Sequence, residues 1–421
     1  MSVHLSPRLS AALARATSDR IVYDLTGIEH HYEQLLRELP QVAVRFALKA
    51  CPVDEVLACL AGRGAGFDAA SPAEIVQALR TGVPADRIHY GNTVKSDADI
   101  AEAHRLGVRT FATDSVQDVA AIAAHAPGAR VFCRLATSGE GALWGLSRKF
   151  GCTRNDAVRV LSAAAAAGLT PAGLSVHVGS QQMTADAWRQ AFDSLGDAIT
   201  ALDGRGIALD LVNLGGGLPA LGYLDRQGRP LEPPLDKMFA VIRDGMEQLR
   251  HLSPAPLGFV MEPGRHLVAD HGAVRAHVYR LTSREQPAGN DGNDGKDGRD
   301  GRDGRDGDRA HWLYLSCGKF NGLYEMDQLR HRLVFPGHRD GDRVPAVIAG
   351  PTCDSDDAYA SGHHATRVPA AAASGDPVWI LSAGAYATSY TTRGFNGFRP
   401  LPYTCVRDGH TGPVTTVERT H

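Results

Sequence analysis

A lysine, a histidine and a glutamate–arginine pair each lie at the end of a short apolar segment of this chain. Lys49 ends RFALK, where burial is expected to lower the pKa of its amine and leave the neutral form able to attack a carbonyl. His177 follows LSV, and Glu262 and Arg265 share the turn EPGR. Alone, each has a simpler interpretation: a solvent-facing lysine, a buried structural histidine, a local ion pair. Together they indicate a site that can form an imine with an aldehyde.

Three consecutive glycines, Gly215 to Gly217, precede a helical region. Such a turn can bring backbone N–H groups close to an anion, although many ordinary turns also need glycine. With Lys49 and Glu262, the chain then offers an amine for an aldehyde, a cradle for a phosphate and a carboxylate for a pyridinium nitrogen. These are the requirements of pyridoxal phosphate (PLP), so we expect a site for that cofactor.

Eight β-rich segments alternate with Ala- and Leu-rich helical stretches in the first two thirds of the chain. They are VAVRFALKA (42–50), GFDAAS (66–71), RIHYGN (87–92), VRTFATD (108–114), RVFCRLA (130–136), GLSVHVGS (173–180), LDLVNLGGG (209–217) and LGFVMEPG (257–264). Repeated βα units predict parallel strands with helices outside, and eight of them are typical of a (β/α)8 TIM-type barrel. A doubly wound open sheet is the alternative.

The active site of such a barrel lies at the C-terminal ends of its strands. The residues at these ends are largely polar: Lys49, Asp68, Asn92, Asp114, Arg134, His177, Gly215 to Gly217, Glu262 and Arg265. We therefore expect a polar and charged ring to close an otherwise apolar barrel.

The sequence after residue 270 reads as strands without intervening helices, which predicts a C-terminal antiparallel β domain of sandwich or barrel type. We expect the barrel to cover residues 30–270, and the β domain to combine residues 1–29 with 271–421. An Asp-Gly tract within 287–309 has a period of three but no proline and no EF-hand glutamate, so a collagen helix and a calcium loop are both disfavoured. It is predicted to be a disordered insertion.

Composition excludes several classes of protein. A net charge of −3 without a basic run argues against a nucleic-acid partner. No apolar run is long enough to span a bilayer, and the N-terminus lacks the apolar core of a secretory signal. Seven cysteines without a short-spaced framework favour reduced thiols in the cytoplasm. No metal site is predicted.

The motifs occur in the order found in one known family. The sequence resembles the fold-type III PLP-dependent decarboxylases, the group of ornithine, lysine and diaminopimelate decarboxylases, over nearly its whole length. The matching motifs are FALKA, GFDAASPAEI, LSRKFG, LSVHVGSQ, LGGGLP, EPGRHLV, GPTCDSDD, SAGAY and FNGF. The combination is specific, although no single motif is.

The resemblance implies a role for each matching residue. Lys49 is expected to bind the cofactor as a Schiff base, His177 to stack on its ring, and Glu262 to pair with the pyridine nitrogen. Arg134 is expected to support Glu262, and Asp68 to lie near Lys49 and His177. The predicted phosphate ligands are Gly215, Gly216, Gly217, Ser180, Arg265 and Tyr386.

The resemblance also implies a homodimer whose two active sites are shared across the interface. Cys353 is the expected proton donor to the substrate carbon, with Asp354 at the substrate side chain, both acting in the partner's site. Phe395 of FNGF is expected to contact the substrate as well.

The substrate is expected to be a basic L-amino acid, because CDS at 353–355 resembles the ornithine/lysine branch that supplies polyamine biosynthesis. One feature departs from that branch. Ser316 and Cys317 stand where an acidic residue usually binds the distal ammonium of the substrate, and loss of a buried counter-charge weakens such binding. Glu325 or Asp327 could compensate. A specialised biosynthetic amino-acid intermediate is therefore an alternative substrate.

Three further interpretations are weaker. An alanine-racemase-like enzyme shares the lysine and the barrel, but CDSDD and FNGF are not its pattern. A non-catalytic homologue that acts as a binding protein would tend to lose its cofactor contacts, which here remain. A phosphosugar barrel enzyme leaves the C-terminal β domain without explanation.

Overall fold

The computed structural model describes residues 5–145, 149–285, 309–359 and 365–408. Eleven strands lie in its first two thirds: β1 (Arg20–Asp24), β2 (Val42–Ala47), β3 (Gly66–Ala69), β4 (Ile88–Tyr90), β5 (Thr110–Thr113), β6 (Arg130–Arg134), β7 (Ala142–Trp144), β8 (Thr170–Ser175), β9 (Ser180–Gln182), β10 (Leu211–Asn213) and β11 (Gly258–Met261). Eight of these, β2 to β6 with β8, β10 and β11, pair in parallel as a closed barrel, while β7 and β9 form a small antiparallel pair. All eight predicted barrel strands are present.

Helices separate the barrel strands. They are α2 (Leu25–Glu38), α3 (Asp54–Gly62), α4 (Pro72–Arg80), α5 (Asp97–Arg105), α6 (Val116–His125), α7 (Arg154–Ala166), α8 (Asp186–Asp203), α9 (Leu235–Leu252) and the short α10 (Arg265–Val268), and α1 (Pro7–Arg15) precedes β1. Local sequence fixes several of their starts: Ser71, Ser96 and Ser115 each accept the N–H group three residues later. At α4, Glu74 in turn accepts the N–H group of Ala70, the residue before this N-cap.

The second domain is built on an eight-stranded sheet. Its strands after the barrel are β12 (Gly272–Glu285), β13 (Arg309–Leu315), β14 (Leu333–Val334), β15 (Arg343–Ala349), β16 (Thr366–Pro369), β17 (Pro377–Ile380) and β18 (Tyr403–Val406). They run in the order β14-β17-β12-β13-β15-β16, and β1 joins between β12 and β18. The predicted architecture of a barrel with a C-terminal β domain is confirmed.

The sheet is mixed rather than purely antiparallel as predicted. β13 runs parallel to β15, and β1 runs parallel to β18. Parallel neighbours need a crossing connection, which the long segment between β13 and β15 supplies and which a sequence of bare strands does not reveal. The predicted insertion at 287–309 lies outside the described residues except for Arg309, which begins β13.

One large hydrophobic core runs through the barrel and into the second domain. In a smaller hydrophobic cluster, α1 packs against the sheet of the second domain; its buried residues are Leu9, Leu13, Val22, Ala273 and Trp379. Among the described residues, no helix has the length and apolarity needed to cross a membrane.

Candidate active site

Lys49 and Asp68 form an ion pair at the open end of the barrel. Lys49 follows β2, and its Nζ lies 3.2 Å from Oδ2 of Asp68, a buried carboxylate of β3. Burial alone lowers the pKa of Lys49, but the charges of Asp68, Tyr386 and Glu262 together outweigh it, so the pKa is raised. The predicted lowering was wrong because the carboxylates that oppose it come from other strands.

The second oxygen of Asp68 is free to accept a hydrogen bond. Oδ1 is buried and has no partner among the described residues. It lies over Gly91, where an added Cβ would come within 1.8 Å of it. A buried carboxylate oxygen without a donor is costly, so this atom marks a position for a ligand donor.

Glu262 follows β11 and is held by β10. Its carboxylate accepts from the Asn213 side chain, and its backbone N–H donates to Gly215 O at 2.8 Å. Burial and the nearby charge of Asp68 raise its pKa to about 7, against the opposing effects of Lys49, Asn213 and Arg134. A carboxyl group poised in this way favours a cationic N–H partner, whose charge would restore the ionised form.

His177 presents an uncharged ring. Burial and the charges of Arg134 and Lys49 lower its pKa to about 3. Its Nδ1 accepts the Gly179 N–H at 3.1 Å, which places the ring proton on Nε2. Nε2 in turn lies close to Gly216, where an added Cβ would sit 3.1 Å from it. The ring can therefore act as a flat, neutral surface beside the glycine turn.

The glycine turn has little room for side chains. Gly215 and Gly217 have φ of 64° and 119°, and a Cβ on Gly215 would lie 2.1 Å from Val176 O. The Gly215 N–H donates to Asn213 Oδ1 at 2.9 Å. The N–H groups of Gly216 and Gly217 donate to no acceptor in the described parts of the chain, which leaves them available for an anion.

Arg265 is buried beside this turn. It is 4% exposed, and its guanidinium carbon lies 4.6 Å from the Trp144 ring centroid and 4.7 Å from that of Tyr386. Its nitrogens contact Ser180 Oγ at 3.2 and 3.4 Å, and they form an ion pair with Glu325. Arg265, Ser180 and Tyr386, the three side chains among the predicted phosphate ligands, are thus close together.

Arg134 ends β6 on the same face of the barrel, within electrostatic reach of Glu262. Its guanidinium carbon lies 5.2 Å from the centroid of the Phe150 ring. Part of the LSRKFG motif (146–148) lies outside the described residues.

Tyr386 has a strained backbone. Its φ is +63°, a value that non-glycine residues rarely adopt, and its N–H donates to Ala50 O at 2.7 Å. The hydrogen bond ties a loop of the second domain to the residue that follows Lys49. Strain of this kind concentrates at functional sites.

The remaining predicted site residues lie in the second domain. Cys353 is exposed in a cleft with His277, Tyr279 and Tyr314, and no barrel strand end lines that cleft. Asp354 accepts the Asp356 N–H at 2.8 Å, and the ring of Phe395 packs 4.8 Å from that of Phe320. The structure therefore does not place Cys353 and Lys49 of the same chain in one pocket.

Ser316 and Cys317 are both buried. Ser316 Oγ accepts the His277 N–H at 2.9 Å, and burial raises the pKa of the Cys317 thiol. Neither residue supplies a negative charge. The two acidic residues that could replace it are already paired, Glu325 with Arg265 and Asp327 with Lys319 at 2.7 Å.

The site contains residues that the sequence did not single out. Asn213 links Glu262 to the glycine turn, and Gln181 exchanges two hydrogen bonds with the backbone of Ala220, at 2.7 and 2.9 Å. Asn213 ends β10, so its strand-end position could have identified it. The pairing of Glu325 with Arg265 has no local signal, because 60 positions separate them.

These groups fit pyridoxal phosphate. The free N–H groups of Gly216 and Gly217 lie on the same turn as the neutral ring of His177, and Arg265 adds a buried positive charge. The unpartnered Asp68 oxygen and the raised pKa of Glu262 leave two carboxylates able to receive donors from a pyridine ring and its substituents. No cluster of potential metal ligands occurs in the described segments.

Comparison with known proteins agrees with this assignment. Residues 25–269 match the family model described as "Pyridoxal-dependent decarboxylase, pyridoxal binding domain". The chain is 29% identical to the lysine/ornithine decarboxylase of Selenomonas ruminantium, covering 94% of this chain and 92% of that protein. It is 30% identical to the ornithine decarboxylase of Schizosaccharomyces pombe, covering 90% and 81%.

The fold agrees as well. A crystal structure of an SrLDC mutant in complex with PLP superposes with a TM-score of 0.80 at 27% identity, covering 96% of this chain and 95% of that one. The chain belongs to the pyridoxal-dependent decarboxylase family and is a PLP-dependent amino-acid decarboxylase.

Proposed function

We propose that this enzyme removes the α-carboxylate of a basic L-amino acid, of the ornithine or lysine type, as CO2 and releases the amine. The observation that carries the proposal is the meeting of Lys49, Asp68 and Glu262 at one end of the barrel. The relatives named lysine/ornithine and ornithine decarboxylase, which match most of the chain, support the substrate class.

The bound cofactor supplies an aldehyde for the substrate amine and a pyridinium ring that accepts the electron pair left when CO2 departs. Lys49 would bond to that aldehyde, and Asp68 would keep the lysine in position. Glu262, supported by Asn213 and Arg134, holds the proton on the pyridine nitrogen. This proton sustains the electron-accepting character of the ring.

The neutral ring of His177 is proposed to cover one face of the cofactor. Gly216, Gly217, Ser180, Arg265 and Tyr386 are proposed to hold the phosphate, and Gly215 shapes the turn. None of these residues needs to change charge during the reaction, so their contribution is to bind, orient and exclude water.

Proton return to the substrate carbon is assigned to the thiol of Cys353 from the partner chain of a homodimer, with Asp354 and Phe395 beside the substrate. Cys353 is exposed in a cleft of the second domain, away from the strand ends of its own barrel. This position supports a role for its thiol in the active site of the partner chain. The seven free cysteines support a reducing compartment such as the cytoplasm.

A second substrate class is favoured by one observation. Ser316 and Cys317 leave the distal end of the substrate with one predicted carboxylate, Asp354, while Glu325 and Asp327 are engaged elsewhere. We therefore propose a second candidate substrate: an amino acid whose side chain ends in a modified group that needs fewer carboxylates than a free ammonium does. A dedicated biosynthetic intermediate is an example.

The test is CO2 release by the PLP-loaded enzyme from L-ornithine, L-lysine, L-arginine, meso-diaminopimelate and neutral analogues, with Lys49→Ala as the inactive control. Rapid release from ornithine or lysine supports the first candidate and contradicts the second. If the bound cofactor shows its normal visible absorbance but no amino acid of the panel releases CO2, the first candidate is contradicted and the second is supported. Absence of that absorbance would contradict both.

A further inference from the structure

Glu325 is tied to the predicted phosphate-binding arginine. It lies in a short 3-10 helix (Tyr324–Asp327), and its side chain is 11% exposed. Both of its carboxylate oxygens accept hydrogen bonds from Arg265. Oε2 accepts from Nη1, and Oε1 accepts from Nη2 at 2.5 Å. A two-point pair of this kind fixes both the position and the rotation of a guanidinium group.

The other donors of Arg265 are also engaged. Nη1 donates to the Tyr223 hydroxyl at 3.2 Å, while Nη2 and Nε approach Ser180 Oγ at 3.2 and 3.4 Å. The rings of Trp144 and Tyr386 flank the guanidinium plane. An arginine has about five N–H donors, so a phosphate can reach this one only by taking the place of an existing partner.

Ser180 is the partner that yields most easily. Its hydroxyl is a neutral acceptor, and its contacts lie at or beyond the usual upper limit of hydrogen-bond length, whereas the contacts of Glu325 are short and join opposite charges. The Ser180 hydroxyl is itself a proposed phosphate ligand, so it can turn from the guanidinium to the phosphate. The edge of Arg265 that carries Nε and Nη2 then faces the phosphate, while Glu325 still binds the adjacent Nη1–Nη2 edge.

We propose that Glu325 is a positioning residue for the cofactor: it holds Arg265 in the plane and rotation that present its Ser180-facing edge to the phosphate. The inference rests on the proposed phosphate-binding role of Arg265. It also assigns a use to a carboxylate that would otherwise be available to a substrate ammonium.

A competing arrangement makes the opposite prediction. If the Glu325 carboxylate occupies the place of the phosphate, removal of its charge would strengthen phosphate binding, because two anions would no longer compete for Arg265. If Glu325 orients Arg265, its removal weakens phosphate binding. The sign of the change in affinity therefore separates the two arrangements.

The experiment titrates cofactor-free protein with PLP and, separately, with pyridoxal, which lacks the phosphate. We expect Glu325→Gln to raise the Kd for PLP by about tenfold or more, the loss typical of one charge-assisted contact. The Kd for pyridoxal should stay within about twofold, since the contact acts through the phosphate. Inorganic phosphate should also raise the Tm of the cofactor-free variant less than that of the wild type.

Asp327→Asn is the matched control. Asp327 lies in the same 3-10 helix but is more exposed and pairs with Lys319, so its loss should leave both Kd values unchanged. Glu325→Asp keeps the charge on a shorter side chain. Its Kd for PLP should lie between those of the wild type and Glu325→Gln. It also provides the answer if the glutamine variant does not fold.

Tighter PLP binding by Glu325→Gln, or equal losses for PLP and pyridoxal, would overturn the inference. Arg265→Lys tests the underlying assignment separately. If it leaves the Kd for PLP unchanged, the proposed phosphate-binding role of Arg265 fails, and the role of Glu325 fails with it. If Arg265→Lys weakens PLP binding but Glu325→Gln does not, only the role of Glu325 is wrong.

Discussion

The ammonium of Lys49 lies 3.2 Å from the carboxylate of Asp68, and this pair raises the pKa of the lysine above its ordinary value despite burial. Before the cofactor binds, the lysine is therefore charged at neutral pH. Since attack on an aldehyde requires the neutral amine, Asp68 both positions Lys49 and slows its first reaction. The remaining charges of the site, Glu262 and Arg134, are arranged around this pair.

Asp68→Asn should move cofactor loading to lower pH. Removal of the nearest negative charge lowers the pKa of Lys49, so more of the amine is neutral at a given pH. We expect the midpoint of PLP loading to fall by about one pH unit or more, measured by visible absorbance over a pH series. Asp118→Asn removes the α6 carboxylate that pairs with Lys95 in the loop after β4, and it should leave that midpoint unchanged.

Glu262→Gln should stabilise the cofactor-free protein at alkaline pH. The folded-state pKa of about 7 lies above the ordinary value of 4.5, so the folded protein binds more protons than the unfolded chain between these values. Stability then falls as the pH rises through this window, and the glutamine, which does not ionise, avoids that loss. We expect a gain of about 3 kcal/mol at pH 8 that nearly disappears at pH 4.5, measured by denaturant unfolding. A gain of equal size at both pH values would contradict the assignment.

Gly216→Ala should weaken cofactor binding. The added methyl would sit 3.0 Å from Glu262 O and 3.1 Å from His177 Nε2, which forces the ring or the turn to shift. Overpacking of this kind costs the fold about 1–3 kcal/mol. Because a shifted turn no longer directs its N–H groups at the phosphate, we also expect the Kd for PLP to rise about tenfold or more. Gly337→Ala is the control, because nothing lies within 4 Å of its added Cβ. Unchanged PLP affinity in Gly216→Ala would argue against a cradle at this turn.

Two inactive variants should restore activity when mixed. If Cys353 acts in the partner's site, a heterodimer of Lys49→Ala and Cys353→Ala chains contains one intact site and one doubly altered site. Random exchange should recover about one quarter of the wild-type rate, whereas neither variant alone is active. The measurement is CO2 release before and after subunit exchange. No recovery, with heterodimers demonstrated by mass spectrometry, would show that each chain uses its own Cys353.

The sequence predicted the barrel well because its evidence is local. Each strand is a short apolar segment between helices, and the polar residues follow directly, so Lys49, Asp68, His177 and Glu262 could be expected on one face. Interactions between distant segments could not be predicted this way. The raised pKa of Lys49 depends on carboxylates from other strands, and Glu325 meets Arg265 from another domain. The engagement of Ser316 by His277 likewise appears only when β12 and β13 are paired.

Strand β1 lies between β12 and β18, and the Arg20 guanidinium reaches the Thr404 hydroxyl, 384 positions later. During synthesis, β1 can therefore take its place between these neighbours only after the chain has been made as far as β18. Pairings across such separations form slowly. Tyr386, which is proposed to help hold the phosphate, is also made late, so a nascent chain with a complete barrel still lacks part of its cofactor site. A fragment that ends with the barrel is therefore expected to bind PLP more weakly than the whole chain.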